Sequence, residues 1–469
     1  MCVPTTLKST VSGVNATPAL EPVGGGRAQG LTRSATFQLT LDPTQDQKAL
    51  FTQFAGARRK AYNYHLGRVK KNLYVRTSEK QYCGAALTES LSWSKISFIN
   101  NFNAWKNGEL DDSPKNEDGT KGLAWRSLVS ADVFECASTD AAQALKNWSD
   151  SRHGTRAGAP VGFPQFAEKN RSTPSFRLRN RASVGGTQPV RFLDRSHLLL
   201  PKIGSVRVSG PTRQVRSMLD ANRFHIYSAT ITYKGGCWLV SLTGVATPLN
   251  RALRSPKAKH RASVGVDLGL QSLAVVADAN GNHLITFEGV KELRIAETRL
   301  IKAQKHLART TPGSKGRAKA KAILNKRHRK VALVRRHLLH QVSSWLVRNC
   351  TTIVLEDLNV AGMMRNHHLA KSISDAGMGE LRRQVTYKAE WYGVNLIIAS
   401  RFFASSKTCS GCGQVKETLM LSERTYNCEH CGLVIDRDLN AAINLAKLGA
   451  KGVDQELAEL LAKESVLVT

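Results

Sequence analysis

The sequence predicts a multidomain α/β protein, and three observations support this prediction. The chain has 469 residues, which corresponds to about three domains of ordinary size. Hydrophobic residues make up 41% of it, enough to build buried cores. Helical patterns cover much of 45–150 and 291–349, whereas short apolar strands recur over 186–247 and 263–288. The chain is therefore not a disordered basic tail.

The composition is strongly basic, with 68 Lys and Arg against 36 Asp and Glu and a net charge of +32. A compact chain with this charge repels itself unless a polyanion neutralises it, and nucleic acid is the commonest such partner. An acidic small-molecule substrate would not require so much charge. No segment approaches the roughly 18–20 apolar residues of a membrane span, and the start lacks a secretory signal pattern. We expect an intracellular protein.

The N-terminal part is predicted to combine strands with helices. Residues 1–33 are small and polar, so we expect a flexible extension. Alternating apolar residues from Thr36 predict a strand, and a turn then leads into a helix from Gln45. Helical segments continue to about 150, interrupted by the polar loop Asn107–Lys121. Short alternating stretches over 186–247 predict a small β-barrel or sheet.

The basic segment Ser151–Arg181 carries phenylalanines at 163, 166 and 176 among its cations. Aromatic rings spaced among cations suit base stacking and phosphate contact. A solvated basic loop with two anchoring rings fits the composition equally well. The segment thus remains open between a nucleic-acid contact and a surface loop.

The C-terminal half is predicted to contain a sheet followed by a basic helical hairpin. Lys291–Arg336 holds sixteen Lys or Arg against two acids, and a break near Thr311–Gly313 divides the helical region 291–349. Like charges three and four apart destabilise an isolated helix, so a phosphate-tracking hairpin is favoured over a solvated face. The other predicted elements are strands Val264–Leu268, Leu273–Ala277, His283–Glu288, Thr351–Leu358 and Asn395–Arg401, and helices Ser374–Tyr392 and Leu439–Leu448.

Four of the nine cysteines form two Cys-x2-Cys pairs separated by 15 residues. Two such knuckles supply a tetrahedral set of four thiolates, which suits zinc. Because four sulfurs leave no open position, this zinc is expected to be structural. An odd total without a framework argues against disulfides and for metal plus buried thiols. The predicted zinc ligands are Cys409, Cys412, Cys428 and Cys431, with turns at Gly411, Gly413 and Gly432 in positive φ.

Three carboxylates stand at the ends of apolar elements: Asp267 and Glu356 end strands, and Asp438 opens the last helix. Buried acids are costly unless a cation compensates them, and hard oxygen ligands suit Mg²⁺ or Mn²⁺. Taken singly, each has a simpler explanation as a strand end, an arginine partner or a helix cap. Strand alternation turns Asp357 to the face opposite Glu356, and Asp436 ranks second to Asp438.

The order of these motifs resembles the TnpB (OrfB) proteins of insertion sequences, which are RNA-guided DNA endonucleases related to the type V CRISPR effectors. Each short motif alone is common, but their fixed order from about residue 35 to 448 is specific. The segments that carry the resemblance are Leu41–Gln47, Gly56–Asn63, Phe163–Phe166, Ser175–Arg177, Gly265–Gly269, Leu355–Asn359, Ser405–Gly413, Cys428–Gly432 and Asp436–Ala442.

The resemblance implies an RNase H-like RuvC nuclease domain over 260–448, with an inserted zinc ribbon over 405–434 and the hairpin over 291–349. Its acids would be Asp267, Glu356 and Asp438, holding catalytic Mg²⁺ or Mn²⁺. It also implies a β-barrel domain over 34–55 and 185–250, a helical recognition insertion over 56–184, and a tail over 449–469. A guide RNA and double-stranded target DNA would be the partners, and the protein would act in the cytoplasm of a prokaryote, associated with the nucleoid. The expected nucleic-acid contacts are Arg58, Asn63, Phe163, Phe166, Phe176, Arg177, Lys302, Lys305, Arg309, Lys326, Arg327, Arg329 and Lys330.

The chain departs from the family pattern at its start, around 75–130 and after 450. The expanded middle segment resembles a longer branch of the family, and it makes the flanking DNA motif unpredictable. Two other functions stay open at this point. One is a guide-directed DNA-binding regulator that does not cut, which the presence of all three acids disfavours. The other is a RuvC-like resolvase or transposase that acts without RNA.

Overall fold

The chain is described here from a computed structural model. The described residues are 6–7, 32–169, 171–181, 186–247, 261–269, 272–289, 291–363, 365, 377–420 and 423–450. They divide into two compact units, of which the first contains Thr32–Thr247 and the second Pro248–Thr469. Most of the predicted flexible segment 1–33 and nearly all of the tail 449–469 lie outside the described residues.

The first unit consists of an antiparallel sheet and a set of helices. Its strands are β1 (Thr6–Leu7), β2 (Arg33–Asp42), β3 (Ser175–Arg179), β4 (Arg191–Phe192), β5 (His197–Leu200), β6 (Gly204–Ser209), β7 (Phe224–Lys234) and β8 (Cys237–Ala246). Its helices are α1 (Gln45–Cys83), α2 (Lys95–Asn107), α3 (Ala131–Arg152) and α4 (Arg213–Asp220), with a 3₁₀ helix at Ala124–Leu128.

The strand order of this sheet is β3-β7-β8-β2-β6-β5-β4, and β1 pairs with β2 at the side. The pairings of the described residues form an open path from β3 to β4. β2 begins at Arg33, three residues before the predicted start, because Arg33 already pairs with Ala246. The predicted boundary at residue 184 also differs, since Ser175–Arg179 is a strand of this sheet and pairs with β7.

The long helix α1 begins where the sequence predicts it. Thr44 accepts a hydrogen bond from the Gln47 amide, and the Gln47 side chain accepts one from the Thr44 amide, so both halves of a capping box are present. The helix ends at Gly84, which is left-handed. Its buried side chains, such as Phe51 and Leu66, hold the helix against the rest of the unit.

The second unit contains a mixed sheet, a helical hairpin and a small ribbon. Its strands are β9 (Arg261–Asp267), β10 (Ser272–Asp278), β11 (His283–Glu288), β12 (Cys350–Glu356), β13 (Asn395–Ala399), β14 (Thr425–Asn427) and β15 (Val434–Asp436). Its helices are α5 (Lys291–Ala308), α6 (Lys315–Asn349), α7 (Val360–Met363), α8 (Met378–Tyr392) and α9 (437–450).

The five-stranded sheet has the order β11-β10-β9-β12-β13. The first three strands pair antiparallel, as the predicted meander requires, and β12 pairs parallel to both β9 and β13. One face packs on α6 and α8 through residues such as Leu346 and Leu381. The other face packs on α9 through residues such as Ala442 and Leu445. The central strands are thus covered on both sides, which explains why they are nearly uniformly apolar.

The helices α5 and α6 form the predicted basic hairpin, with the connection over 309–314. Two strands end earlier than predicted: β12 ends at Glu356 rather than Leu358, and β13 at Ala399 rather than Arg401, because their parallel ladder ends at that pair. The predicted helix start at Ser374 lies outside the described residues. Among the described helices, none combines the length and the apolar composition that a membrane span needs.

Candidate active site and zinc cluster

Two of the predicted acids lie side by side at the carboxyl ends of parallel strands. Leu355 pairs with Val266, so Glu356 and Asp267 occupy the next level of the sheet on β12 and β9. Val266 and Leu355 point into the core with α6 and α8. Since neighbouring residues of a strand point to opposite faces, Asp267 and Glu356 point to the face that α9 covers.

The third acid, Asp438, stands in the first turn of α9 on that same face. The helix approaches the sheet closely at Gly265, where an added Cβ would lie 2.0 Å from the Ala442 carbonyl oxygen. Such an approach requires glycine, because any side chain would collide with the helix backbone. A Cβ at Gly269, two residues after Asp267, would lie 3.8 Å from Asp438 Oδ2. The structure thus brings the three predicted acids together, although they are far apart in the sequence.

Burial raises the pKa of all three acids, and the charges of neighbouring acids raise it further at Asp267 and Asp438. Asp267 is 8% exposed. Its burial, followed by the charges of Glu356 and Asp438, raises its pKa well above the ordinary value. Burial also raises the pKa of Glu356, against the hydrogen bond from Ser405 and the charge of Arg437. The pKa of Asp438 is raised by burial and then by Asp436. Three carboxylates in this state favour binding of a cation.

The arginine next to Asp438 was not among the predicted site residues. The positive charge of Arg437 opposes the rise in the pKa of Asp267, Glu356 and Asp438, which burial outweighs. Its guanidinium also donates to the carbonyl oxygen of Met420 at 3.2 Å. Arg437 therefore partly compensates the negative charge of the three acids. In the sequence, only its position beside Asp438 could have indicated this role.

The two competing acids have structural roles. Asp357 lies on the opposite face, as predicted, where it pairs with Arg382 and with Arg401, the latter at 3.0 Å. Asp436 accepts a hydrogen bond from the Leu439 amide at 2.9 Å. Asp436 therefore caps α9, and Asp438 is left for the face that carries Asp267 and Glu356.

The four predicted zinc ligands form a compact cluster. Sγ atoms of Cys409 and Cys431 lie 3.6 Å apart, as do those of Cys412 and Cys428. Zn–S bonds of about 2.3 Å in a tetrahedron place sulfurs about 3.8 Å apart, so the cluster fits a zinc ion. Within the described ranges, no other group of three or more Cys, His, Asp or Glu has all its ligand atoms within 4.8 Å. The three carboxylates are therefore spread more widely than the cysteines.

The two halves of the cluster repeat one backbone pattern. Gly413 donates to the Cys409 carbonyl and Gly432 to the Cys428 carbonyl, both at 2.9 Å. Both glycines have the positive φ that was predicted, +83° and +74°. Gly411 does not, so that prediction was wrong; a Cβ there would make ordinary van der Waals contacts with the Leu433 side chain and two cysteine sulfurs.

None of the remaining cysteines in the described ranges forms a disulfide. Cys136 and Cys350 are buried, as expected. Cys83 is exposed and Cys237 is half-buried, so the expectation of buried thiols holds for only two of these four. Cys2 lies outside the described residues.

Two buried asparagines of α9 hold the first cysteine knuckle against that helix. Asn440 donates to the Thr408 carbonyl at 2.7 Å and accepts from the Ser410 amide at 2.9 Å. Asn444 donates to the carbonyls of Ser405 and Thr408 at 2.8 and 2.7 Å. The spacing of four residues places both side chains on one helix face. Neither asparagine was predicted to have a role, although polar residues in an apolar helix are a detectable signal.

The predicted contact residues of the first unit differ in accessibility. Phe176 is 1% exposed and packs on Phe51 and Phe54, so its predicted base stacking is corrected to a core role. Phe163 is half-buried with its ring edge on Trp148. Phe166 is 40% exposed, which leaves its ring accessible.

The polar contact residues of this unit have intramolecular partners. Arg58 and Arg177 both pair with Asp140. Asn63 exchanges two hydrogen bonds with the Ala167 backbone, at 2.9 and 2.8 Å. These side chains hold α1, α3 and the basic segment together, and such pairing reduces what they can offer to a nucleic acid.

The hairpin presents most of its cations to solvent. Eleven of the sixteen Lys and Arg residues between 291 and 336 are exposed. Among the predicted contacts, Lys302, Lys305, Arg309, Lys326 and Lys330 are exposed, whereas Arg327 and Arg329 are half-buried. Glu297, one of the two acids of the hairpin, pairs with Arg335 of α6 at 3.5 Å.

Comparison with protein families gives three matches along the chain. Residues 243–367 match a family described as a probable transposase of the OrfB type, and residues 379–445 match the Cas12f1-like TNB domain. Residues 33–77 match a family described as a helix-turn-helix domain. In this structure that last stretch forms β2 and most of the single helix α1.

The chain is also similar to full-length relatives and to a solved structure. It is 32% identical over 418 residues, 88% of its length, to a protein of Mycobacterium tuberculosis named as a candidate RNA-guided DNA endonuclease, of which 85% is covered. It is 25% identical over 437 residues to a relative from Escherichia coli K12 with the same description, covering 89% and 93% of the two chains. A Cas12f1–guide RNA–target DNA complex aligns at a TM-score of 0.49 and 12% identity, covering 88% and 99%. These sequence matches show that the chain belongs to the TnpB (OrfB) family.

Proposed function

We propose that the protein is an RNA-guided DNA endonuclease encoded by a transposable element, with a RuvC-like site that hydrolyses DNA phosphodiesters. The observation that carries the proposal is the meeting of Asp267, Glu356 and Asp438 on the face of the sheet that α9 covers. Membership of the family adds that relatives are named for the same activity. The mixed five-stranded sheet, with acids at the carboxyl ends of parallel strands, supports an RNase H-like domain.

The three carboxylates are suited to hold Mg²⁺ or Mn²⁺, both of which prefer oxygen ligands. In such sites, paired ions about 4 Å apart activate a water and stabilise the leaving oxygen of a phosphodiester. Burial of Asp267 keeps its carboxylate away from bulk water, and Arg437 supplies a fixed positive charge beside all three acids.

Sequence specificity would come from pairing between a guide RNA and one DNA strand, while the protein reads backbone shape and a short flanking motif. The exposed cations of the hairpin suit contact with the phosphates of that heteroduplex. The first unit, with its β domain and helical insertion, would hold the RNA and read the flanking motif. Phe166 has an accessible ring there, beside Lys70.

The test is to express the gene with its native downstream flank, purify the protein and sequence the nucleic acid that copurifies. One discrete RNA that ends at the border of the element is expected, and a plasmid carrying the matching target should then be cut. A heterogeneous mixture or no RNA, together with cleavage that ignores the target sequence, would refute the proposal in favour of an RNA-independent resolvase. Discrete RNA with target binding but no cleavage would instead indicate a regulator.

A further inference from the structure

We propose that Ser405 is a positioning residue that holds the Glu356 carboxylate, and that the first cysteine knuckle thereby sets the geometry of the nuclease site. This inference rests on the proposed function and adds a residue outside the three acids. Ser405 is 3% exposed, and its hydroxyl donates a hydrogen bond to Glu356 Oε1. It lies between β13 and Cys409, so it connects two sites that the sequence separates.

The hydroxyl can orient Glu356 because the backbone of Ser405 is itself fixed. Its amide donates to the Phe403 carbonyl at 2.9 Å, and its carbonyl accepts from Asn444 at 2.8 Å. Asn444 belongs to α9, the helix that carries Asp438. Helix α9 therefore positions Asp438 directly and Glu356 through Ser405, so the position of one acid depends on that of the other.

The short segment from Ser405 to Cys409 forms one hydrogen-bonded turn. The amides of Lys407 and Thr408 donate to the Ala404 carbonyl at 3.1 and 3.0 Å, and the Thr408 hydroxyl donates to it at 2.7 Å. The Thr408 carbonyl accepts from both Asn440 and Asn444. These hydrogen bonds fix the backbone between the serine and the cysteine at the end of the turn.

The charge of Arg437 also acts on Glu356, but it does so through space. Removal of the Ser405 hydroxyl would leave the carboxylate free to rotate away from Asp267 while the sheet stays intact. Removal of a group that orients a metal-binding carboxylate costs about 10- to 100-fold in metal affinity or activity. A role in packing alone predicts no such change in metal dependence.

The experiment compares wild type, Ser405→Ala, Ser405→Thr and Ser406→Ala as complexes with their RNA, assayed for target cleavage over a Mn²⁺ titration. Ser406 is a matched control because it is the adjacent residue, is half-buried, and makes no side-chain hydrogen bond that the structure records among the described residues. We expect Ser405→Ala to raise the half-saturating Mn²⁺ concentration about tenfold and to lower the saturated rate at least tenfold. Ser405→Thr, which keeps a hydroxyl, should recover most of both, and Ser406→Ala should match wild type.

Zinc content, melting temperature and bound RNA are measured on the same samples. In Ser405→Ala, zinc content and bound RNA should equal those of wild type, and the melting temperature should fall by only a few degrees because one buried hydrogen bond is lost. Unchanged rate and Mn²⁺ dependence in Ser405→Ala would overturn the inference while leaving the proposed function standing. Loss of zinc or of the fold in that variant would assign Ser405 to structure and would overturn it as well. Absence of cleavage in wild type would instead refute the proposed function.

Discussion

Gly265→Ala is the substitution for which the structure gives the clearest magnitude. The added Cβ would lie 2.0 Å from the Ala442 carbonyl oxygen, 2.4 Å from the Ala446 amide nitrogen and 2.7 Å from Leu445 Cβ. Ordinary contact begins near 3.4 Å, so helix α9 must retreat by 3.4 − 2.0, or about 1.4 Å. The obstacle is backbone, which cannot rotate away as a side chain can.

This displacement should affect stability and activity together. Overpacking of a core typically costs 1–3 kcal/mol, and we expect about 3 kcal/mol here because an entire helix has to move. The same movement shifts Asp438 relative to Asp267, and a misplacement of about 1 Å can reduce a rate about 100-fold. Cleavage should therefore fall about 100-fold, whereas RNA bound by the folded protein should not change.

The assay measures urea unfolding, RNA content and cleavage of a guide-matched target. Gly379→Ala is the matched control, since a Cβ at Gly379 meets no atom within 4 Å and its φ is not positive. That variant should be as active as wild type and equally stable, or more stable by up to about 1 kcal/mol because alanine favours the helix. Wild-type stability and cleavage in Gly265→Ala would refute the close approach of α9 to the sheet.

Three further predictions concern other parts of the chain. Chelation of zinc from the four-cysteine cluster should release one ion per chain and make Cys409 and Cys428 reactive to a thiol reagent. Cleavage should then be lost, and excess Mn²⁺ should not restore it. Cleavage that persists without zinc would contradict a structural role of this ion. Charge reversal of the exposed Lys302, Lys305 and Arg309 should weaken heteroduplex binding. The slope of the logarithm of the binding constant against the logarithm of the salt concentration should fall by about 1 for each phosphate that is no longer neutralised. An unchanged slope would show that this face does not bind phosphates. Burial lowers the pKa of Lys388 to about 7 from 10.5. Between these two pH values Lys388 is protonated in the unfolded chain and neutral in the folded one, so the free energy of unfolding rises with pH. This rise is at most about 1.4 kcal/mol per pH unit. Unfolding curves at pH 7 and 9 should show that Lys388→Met removes it, whereas Lys326→Met, at an exposed position, should leave it unchanged.

The elements of the second unit were predictable because their patterns are local. The strands near Asp267 and Glu356 are apolar runs with two covered faces, and alternation alone assigned Asp357 to the opposite face. The spacing of the cysteines predicted a cluster whose Sγ distances suit zinc. In each case a short segment contained the physical reason for its structure.

What the sequence could not provide is the partner of each polar side chain. The role of Asn440 and Asn444 depends on a loop about 35 residues away, and Ser405 donates to Glu356 across 49 positions. The predicted stacking role of Phe176 was wrong because the basic residues around it gave no sign that its strand completes a sheet edge over Phe51 and Phe54. Likewise, Asp140 was not foreseen as the common partner of Arg58 and Arg177.

Asp267, Glu356 and Asp438 are proposed to form the site that cuts the DNA specified by the copurifying RNA. The most direct measurement is cleavage of a guide-matched plasmid by the RNA complexes of wild type, Asp267→Asn and Asp357→Asn, in Mg²⁺ and with a mismatched plasmid beside it. We predict that wild type and Asp357→Asn cut only the matched plasmid, and that Asp267→Asn binds the same RNA and target but cuts neither. Cleavage of the matched plasmid by Asp267→Asn at the wild-type rate would contradict the account.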